Sequence, residues 1–445
     1  MPVAKVLYKS LFWKTFQFAS SFLVSILFAR VLRSAVSAEF YSLSYLLALA
    51  VSFFTLGLDI SFNYYIPRRE LPPATANRII LIIIAGALLL GLPLVWLMYS
   101  SAIYPHIGAR MFLLFSALTI TGGLFSALSG TLFTAHGRNH VPAQIAFLAN
   151  LLVLGGGLAS VVLFPGAKAI DALFLLYFVS SFLQGAVLFF LSLRLYGRRS
   201  RERPAPVAPN APPETPTGSA IPLKAILRFS FAAFVTNLIF YVGSRMCLYL
   251  IPYWAPRPDQ GNFFQAFKIV EYVGIAASFI YYPVIALVAG DEAGNMQRRV
   301  LLLVRLSNTI VLILAMGIAA VGWWALPFVF GRSFDRMYAI LLACIPGLFA
   351  IASSTFFTAY FFGRGRLRIN LISACIQLAV VLILFFLLIR SWGVIGAAAA
   401  FSMAGLTSFV YDCLAFKRVA GCRPRDLLFV RRSDLITLSS SFGLS

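Results

Sequence analysis

Read from its N-terminus, the chain alternates long apolar runs with short polar breaks. Twelve runs are long enough to cross a bilayer: residues 8–31, 38–66, 78–100, 110–134, 141–164, 170–196, 225–252, 262–289, 299–327, 337–361, 369–389 and 394–416. A hydrocarbon core of roughly 30 Å takes about 20 residues of helix. In hydrocarbon only helices and closed barrels satisfy their own backbone groups, and runs this long and unbroken predict helices. The first run follows Lys5 but is too long for a signal-peptide core, so it predicts an uncleaved first helix. The predicted fold class is therefore all-α: a polytopic membrane protein with about twelve transmembrane helices.

Composition agrees with the pattern. Of 445 residues 61% are apolar and 11% charged, whereas a soluble domain carries about a quarter of its residues charged. A soluble globular protein is excluded. The formal charge of +22, from 36 Lys and Arg against 14 Asp and Glu, by itself suggests a nucleic-acid partner. The placement of the charges argues for topology instead. With the N-terminus inside, inner segments and span ends hold 24 of the 36 basic residues and outer ones hold 7, as the positive-inside rule demands. Both termini are expected in the cytoplasm of a cell whose inner membrane the chain crosses, with anionic lipid headgroups rather than nucleic acid as the basic residues' partners.

The polar stretch from Gly197 to Ala220 is rich in Pro and charge and lacks an apolar period, which predicts a flexible cytoplasmic linker over 197–223. It divides the spans into a six-helix lobe at 1–196 and another at 224–416, followed by a basic cytoplasmic tail at 417–445. The halves echo one another: Thr131 to Ala135 with Gly137 and Arg138 resemble Thr355 to Ala359 with Gly363 and Arg364, and Gly166 and Gly393 each precede a last span. The offset is 224 to 227 residues, the pattern of a two-lobed transporter with repeats in the same orientation. Gly155 to Gly157 and Gly396 to Ala400 suit close helix approach. The five Cys show no disulfide spacing. His136 and His140 are four apart but have no acid or Cys near them in sequence, so no metal site is expected, nor any cofactor.

Five basic residues remain within spans: Lys14, Arg30, Arg245, Lys268 and Arg305. Asp59 and Glu271 lie comparably deep. Glu39, Asp171 and Asp412 sit about a turn or less from a span end and are expected to reach water. A charge at the bilayer centre costs at least about 2.5 to 3.5 kcal/mol, so the deep ones should pair or face an aqueous cavity. Lys14, Asp59 and Arg305 lie roughly 9 to 10 Å from the cytoplasmic ends of their spans, and Arg245 and Lys268 as far from the outer ends. Glu271 is about 60° round the same helix from Lys268, so these two can meet as an i, i+3 pair. The alternative for Lys14 and Arg305 is that each snorkels to its nearer interface. The result is an inner tier of Lys14, Asp59 and Arg305 and an outer tier of Arg245, Lys268 and Glu271, each net positive.

Four strings, Ile26 to Leu32, Glu39 to Leu43, Leu56 to Asp59 and Gly261 to Glu271, together with the Gly393 to Ala400 segment, resemble the Wzx-type polysaccharide and O-antigen flippases of the MATE-like exporter superfamily. Ser244 stands before Arg245 where such families lead one to expect an acid. The resemblance implies movement of a polyprenyl-diphosphate-linked oligosaccharide to the outer leaflet for polysaccharide or lipopolysaccharide synthesis. It also implies cationic partners for the diphosphate, here Lys14, Arg245, Lys268 and Arg305, with Asp59 and Glu271 in coupling or charge pairing. A polysaccharide polymerase or other assembly protein is the protein partner it implies. A multidrug exporter of the same superfamily would favour acids for cationic drugs, against the five basic residues found here. A membrane enzyme such as a polymerase needs a sizeable catalytic loop, and only the Pro-rich linker is long, so catalysis is not expected.

Overall fold

The computed structural model describes residues 3–66, 71–164, 166–196, 223–289 and 296–420. Residues 197–222 of the predicted 197–223 linker and residues 421–445 of the predicted 417–445 tail lie outside the described residues. Among the described residues there is no strand. Helix α1 runs Val3–Phe54, α2 Leu58–Tyr65, α3 Pro73–Gly86, α4 Leu92–Trp96, α5 Ala109–Ala135, α6 His140–Leu163 and α7 Ala167–Tyr196. Then follow α8 Leu223–Leu250, α9 Arg257–Ala289, α10 Met296–Phe330, α11 Met337–Gly363 and α12 Leu367–Ala420. A π-helical turn at Ala87–Gly91 joins α3 to α4 in one crossing.

Nine stretches among the described residues are long and apolar enough to cross a membrane, two of them of 46 and 52 residues. At about 1.5 Å per residue those two are roughly 70 and 80 Å long, over twice a bilayer core. Each breaks once. Helix α1 turns at Arg33 (φ 55°, ψ 178°) and α12 at Gly393 (φ 56°, ψ −138°). With the 33-residue α9 counted as well, the apolar segments match the twelve predicted. The difference lies in the connections: loops expected at 32–37 and 390–393 shrink to turns about one residue long. Gly393 takes a positive φ without penalty. Arg33 does not, and the segment after it is held by its surroundings: the Ser34 N–H donates to the Ser333 hydroxyl at 3.2 Å, and Gly261 packs so closely on the Ser34 carbonyl that a Cβ there would overlap it.

The second predicted span, 38–66, is not one helix. Its ladder stops at Thr55, and Leu56 (φ 50°) and Gly57 (φ 69°) take left-handed conformations before α2 begins. The break is fixed by a close approach of α8. The Ser230 carbonyl and Phe234 backbone lie where a Cβ on Gly57 would be, and the Ser61 and Ser230 hydroxyls bond at 2.6 Å.

By contacts the chain divides into two compact units, one of Met1–Val31 with Leu43–Leu238, the other of Leu32–Ser42 with Ile239–Ser445. In the first unit α5 and α7 run parallel in constant register. Phe115 stacks on Phe178, Phe125 on Phe189, and Phe133 meets Tyr196, sequence offsets that stay at 63 or 64 along both helices. Between these ring pairs Gly122 and Gly185 let the backbones touch. The second unit repeats the device. There α11 runs parallel to the second part of α12, with Gly347 packed on Ser402 and Gly405 and with Phe357 meeting Phe416. Small residues at crossings and aromatic pairs along them supply the van der Waals packing that helix association in lipid requires.

Candidate functional site: a cationic group on α8 and α9

The charged outer tier closes into one group within the second unit. Its two cations come from neighbouring positions of two spans, and its acid follows one turn after Lys268 on α9. The Arg245 guanidinium reaches Glu271 through Nε and Nη2, both 3.0 Å from Oε1, while Lys268 Nζ lies 3.0 Å from Oε2. Each carboxylate oxygen thus takes a different cation. Tyr241, one turn earlier on α8, places its ring 4.3 Å beneath the Arg245 guanidinium, and Arg245 Nη1 donates to the Ser244 hydroxyl at 3.4 Å. Cation–π contact and the i, i+4 spacing fix the arginine's direction.

The group carries two positive charges and one negative, a surplus of one within membrane-crossing helices. Glu271 is the most enclosed, 11% exposed at its side chain, while Arg245 and Lys268 are 26% and 30% exposed. The acid forms the floor and the cations the accessible rim. Such an arrangement attracts an anion and disfavours a cation, and arginine's planar fork suits the oxygens of a phosphate.

The three inner-tier residues do not join this group. Lys14 sits half-buried in the first part of α1, next in sequence to Trp13, whose ring meets Phe147 of α6. Asp59 is in the first turn of α2, because the break at Leu56 and Gly57 starts a new helix there. A carboxylate in that turn faces the positive end of the helix dipole. Lys14 and Asp59 belong to the first unit, whereas Arg305, buried in α10, belongs to the second.

Two acids expected to reach water do not. Glu39 is 2% exposed and paired with Arg257 at 3.0 Å, inside the second unit. Asp412, also 2% exposed, lies among serines of α11 and α12. Its Oδ1 has no hydrogen-bond partner among the described residues. Proximity to a span end misled in both cases, because helix packing and not depth encloses them. The pairing of Glu39 with Arg257 spans 218 residues, and no local pattern announces it. Among the described residues no three His, Cys, Asp or Glu side chains gather as a metal site would need.

No protein-family model and no curated protein matches the sequence. The fold, however, is shared with solved transporters. The inward-facing conformation of a multidrug resistance MATE family transporter of the MOP superfamily superposes with a TM-score of 0.64 at 14% identity, over 93% of this chain and 99% of that one. The outward-facing conformation of a multidrug resistance MATE family transporter gives 0.66 at 13% identity, over 95% and 96%. A MOP superfamily transporter from Pyrococcus furiosus, for which reverse polarity of the binding pocket suggests a different function, gives 0.61 at 13% identity, over 94% and 96%. The chain therefore has the fold of MATE-type transporters of the MOP superfamily. It is a multi-pass membrane protein.

Proposed function

We propose that the protein is a flippase that carries a polyprenyl-diphosphate-linked oligosaccharide from the cytoplasmic to the outer leaflet of the inner membrane, with both termini in the cytoplasm. The observation that carries the proposal is the cationic surplus of Arg245, Lys268 and Glu271 inside membrane-crossing helices. Charges at that depth are expensive and are retained where they serve a substrate. A diphosphate is the anionic part of such a lipid, and two cations over one carboxylate match it. The MATE-type fold supports the transport class, and the Wzx-like strings support the lipid-linked glycan. Lys14 and Arg305 would serve the same anion from the inner tier, and Asp59 would serve charge pairing or coupling. Membrane lipids and an assembly protein such as a polymerase complete the proposed partners. The multidrug transporters that share the fold offer a second reading, drug export. A cationic surplus works against cationic drugs.

The test is transbilayer movement of a fluorescent polyprenyl-diphosphate oligosaccharide in vesicles, normalised to folded protein. Arg245→Ala should lower the rate by more than tenfold, and Arg245→Lys should retain part of it, since charge persists while the fork is lost. An unaltered rate in Arg245→Ala would reject the anion role. Transport of a cationic dye in place of the lipid would favour the second reading.

A further inference from the structure

We propose that the first unit holds a neutral binding site for one sugar ring, in a cavity of about 230 Å³ formed by α1, α5 and α7. This rests on the flippase reading for its purpose, although the site itself stands on separate observations. Its wall is made by Ser44, Ala48 and Val51 of α1, Thr119 and Gly123 of α5, and Tyr177, Phe178 and Ser181 of α7. Four of these eight carry hydroxyls and none is charged. The set therefore selects neither a phosphate nor a cation.

Position and chemistry both exclude a lipid tail as the intended occupant. On α7 the lipid-type stripe is Leu175, Leu183, Val187 and Phe190, all well exposed. Tyr177 and Ser181 point roughly 150° away from that stripe on a helix of about 100° per residue. An acyl chain needs no hydrogen-bond donors, and a wall carrying hydroxyls offers it less apolar contact than the surrounding lipid does. Ser44, Tyr177 and Ser181 supply the hydroxyls of the wall, while the Thr119 hydroxyl itself is fully enclosed.

The aromatic side of the wall is rigid. Tyr177 meets Phe28 edge-on at 5.5 Å and Phe178 at 5.4 Å, and Phe178 stacks on Phe115 at 4.6 Å. A fixed ring beside several hydroxyls suits a sugar, which offers an apolar ring face and an equatorial belt of donors and acceptors. The volume is below the roughly 300 to 1,000 Å³ of sites for drug-sized ligands and suits a single pyranose. Beside the cavity Gly122 and Gly185 bring α5 and α7 into backbone contact, and Gly123 lies so close to Val51 that a Cβ would stand 2.7 Å from Val51 Cγ2.

The test uses two readouts, one independent of transport. Ser181→Cys in membrane vesicles is alkylated with a small maleimide, and modification at position 181 is read by peptide mass. Soluble methyl glycosides at about 100 mM should slow that alkylation at least about threefold, as a dissociation constant of about 50 mM or tighter requires, while inorganic diphosphate should not. Protection by diphosphate in place of the glycoside, by neither, or no alkylation at all would overturn the site. The second readout is flipping of lipid-linked oligosaccharide extracted from bacterial membranes. Ser44→Ala should raise KM about fivefold, the equivalent of one hydrogen bond, with kcat little changed, and Ser44→Thr should restore it. An unchanged KM in Ser44→Ala overturns the site's part in substrate binding. If glycosides protect Cys at 181 but the unmodified protein flips no lipid-linked oligosaccharide, the transport reading fails and the sugar site stands. If flipping proceeds but glycosides do not protect, the reverse holds.

Discussion

Because Glu271 is shared, removing either cation alone leaves the carboxylate paired with the other, and removing both takes away both of its cations in this group. This sets up a thermodynamic cycle on Arg245→Ala and Lys268→Ala. Each ion pair has its charges about 4 Å apart between centres, a gross attraction of about 4 kcal/mol at an effective dielectric of about 20. Much of that is offset, because Arg245 and Lys268 are about a quarter exposed and water still reaches them. Each single substitution should therefore cost about 1 kcal/mol of stability. The double substitution leaves an enclosed carboxylate with no cation from this group, for which the loss is about 3 to 5 kcal/mol. The two changes together should cost about 1 to 3 kcal/mol more than their sum.

Adding Glu271→Gln to the double variant should recover most of that excess, since the stranded charge is gone. Reversible unfolding in mixed micelles measures all five proteins on one scale. Additivity of the two cation substitutions within about 0.5 kcal/mol would refute the shared-carboxylate geometry, since that is the scatter of independent sites. Lys268→Ala alone stays mild because Arg245 remains on the same carboxylate. An argument from the i, i+3 pair alone would have made that single change severe.

Reporter fusions after Ala220 and at Ser445 should both read as cytoplasmic, and a periplasmic signal from either would break the topology. Gly261→Ala should cost about 2 to 3 kcal/mol because the new methyl overlaps the Ser34 carbonyl, whereas Gly130→Ala, with open space at its Cβ, should stabilise by about 0.5 to 1 kcal/mol, both by unfolding. Asp412→Asn should leave folded stability unchanged or raise it by about 1 kcal/mol, since the Oδ1 atom has no hydrogen-bond partner to lose among the described residues. A loss above about 1 kcal/mol in the same unfolding assay would show that the ionised carboxylate is held.

The crossings were legible because about 20 consecutive apolar residues are the strongest local signal a chain can carry. The places where they turn were not. Gly393 marks one break by its residue type, but Arg33 and Leu56 adopt positive φ against their own preference, and tertiary contact decides it. Ser333 and Gly261, which grip Ser34, are more than two hundred residues away in sequence. The second span shows the same limit, since only the approach of Ser230 and Phe234 turns Gly57 from a tolerated helix glycine into a break. In the charged group, Lys268 with Glu271 was readable from spacing on one helix. Arg245 shared their depth in the sequence, but its hold on Glu271 required two helices to meet.

The two units agree in packing and differ in chemistry. Gly122 and Gly347 stand 225 residues apart and both sit at the close crossing of their own unit, an offset that falls within that of the sequence echo. Packing in lipid depends on small residues at crossings, a requirement that both units share. Side chains facing a cavity are under no such constraint. At an offset of 224, Ser44 of the neutral cavity corresponds to Lys268 of the cationic group, one a hydroxyl and the other an ammonium. A substrate alike at both ends would favour the same side chains in both units. The two positions instead suit the two ends of a lipid-linked glycan, the diphosphate and the sugar. Exchanging them separates these roles: Lys268→Ser should lower flipping of any diphosphate lipid, whereas Ser44→Lys should impair the glycan-bearing lipid and spare a polyprenyl diphosphate without sugars. Equal losses on both lipids in Ser44→Lys would show that the asymmetry does not divide the substrate.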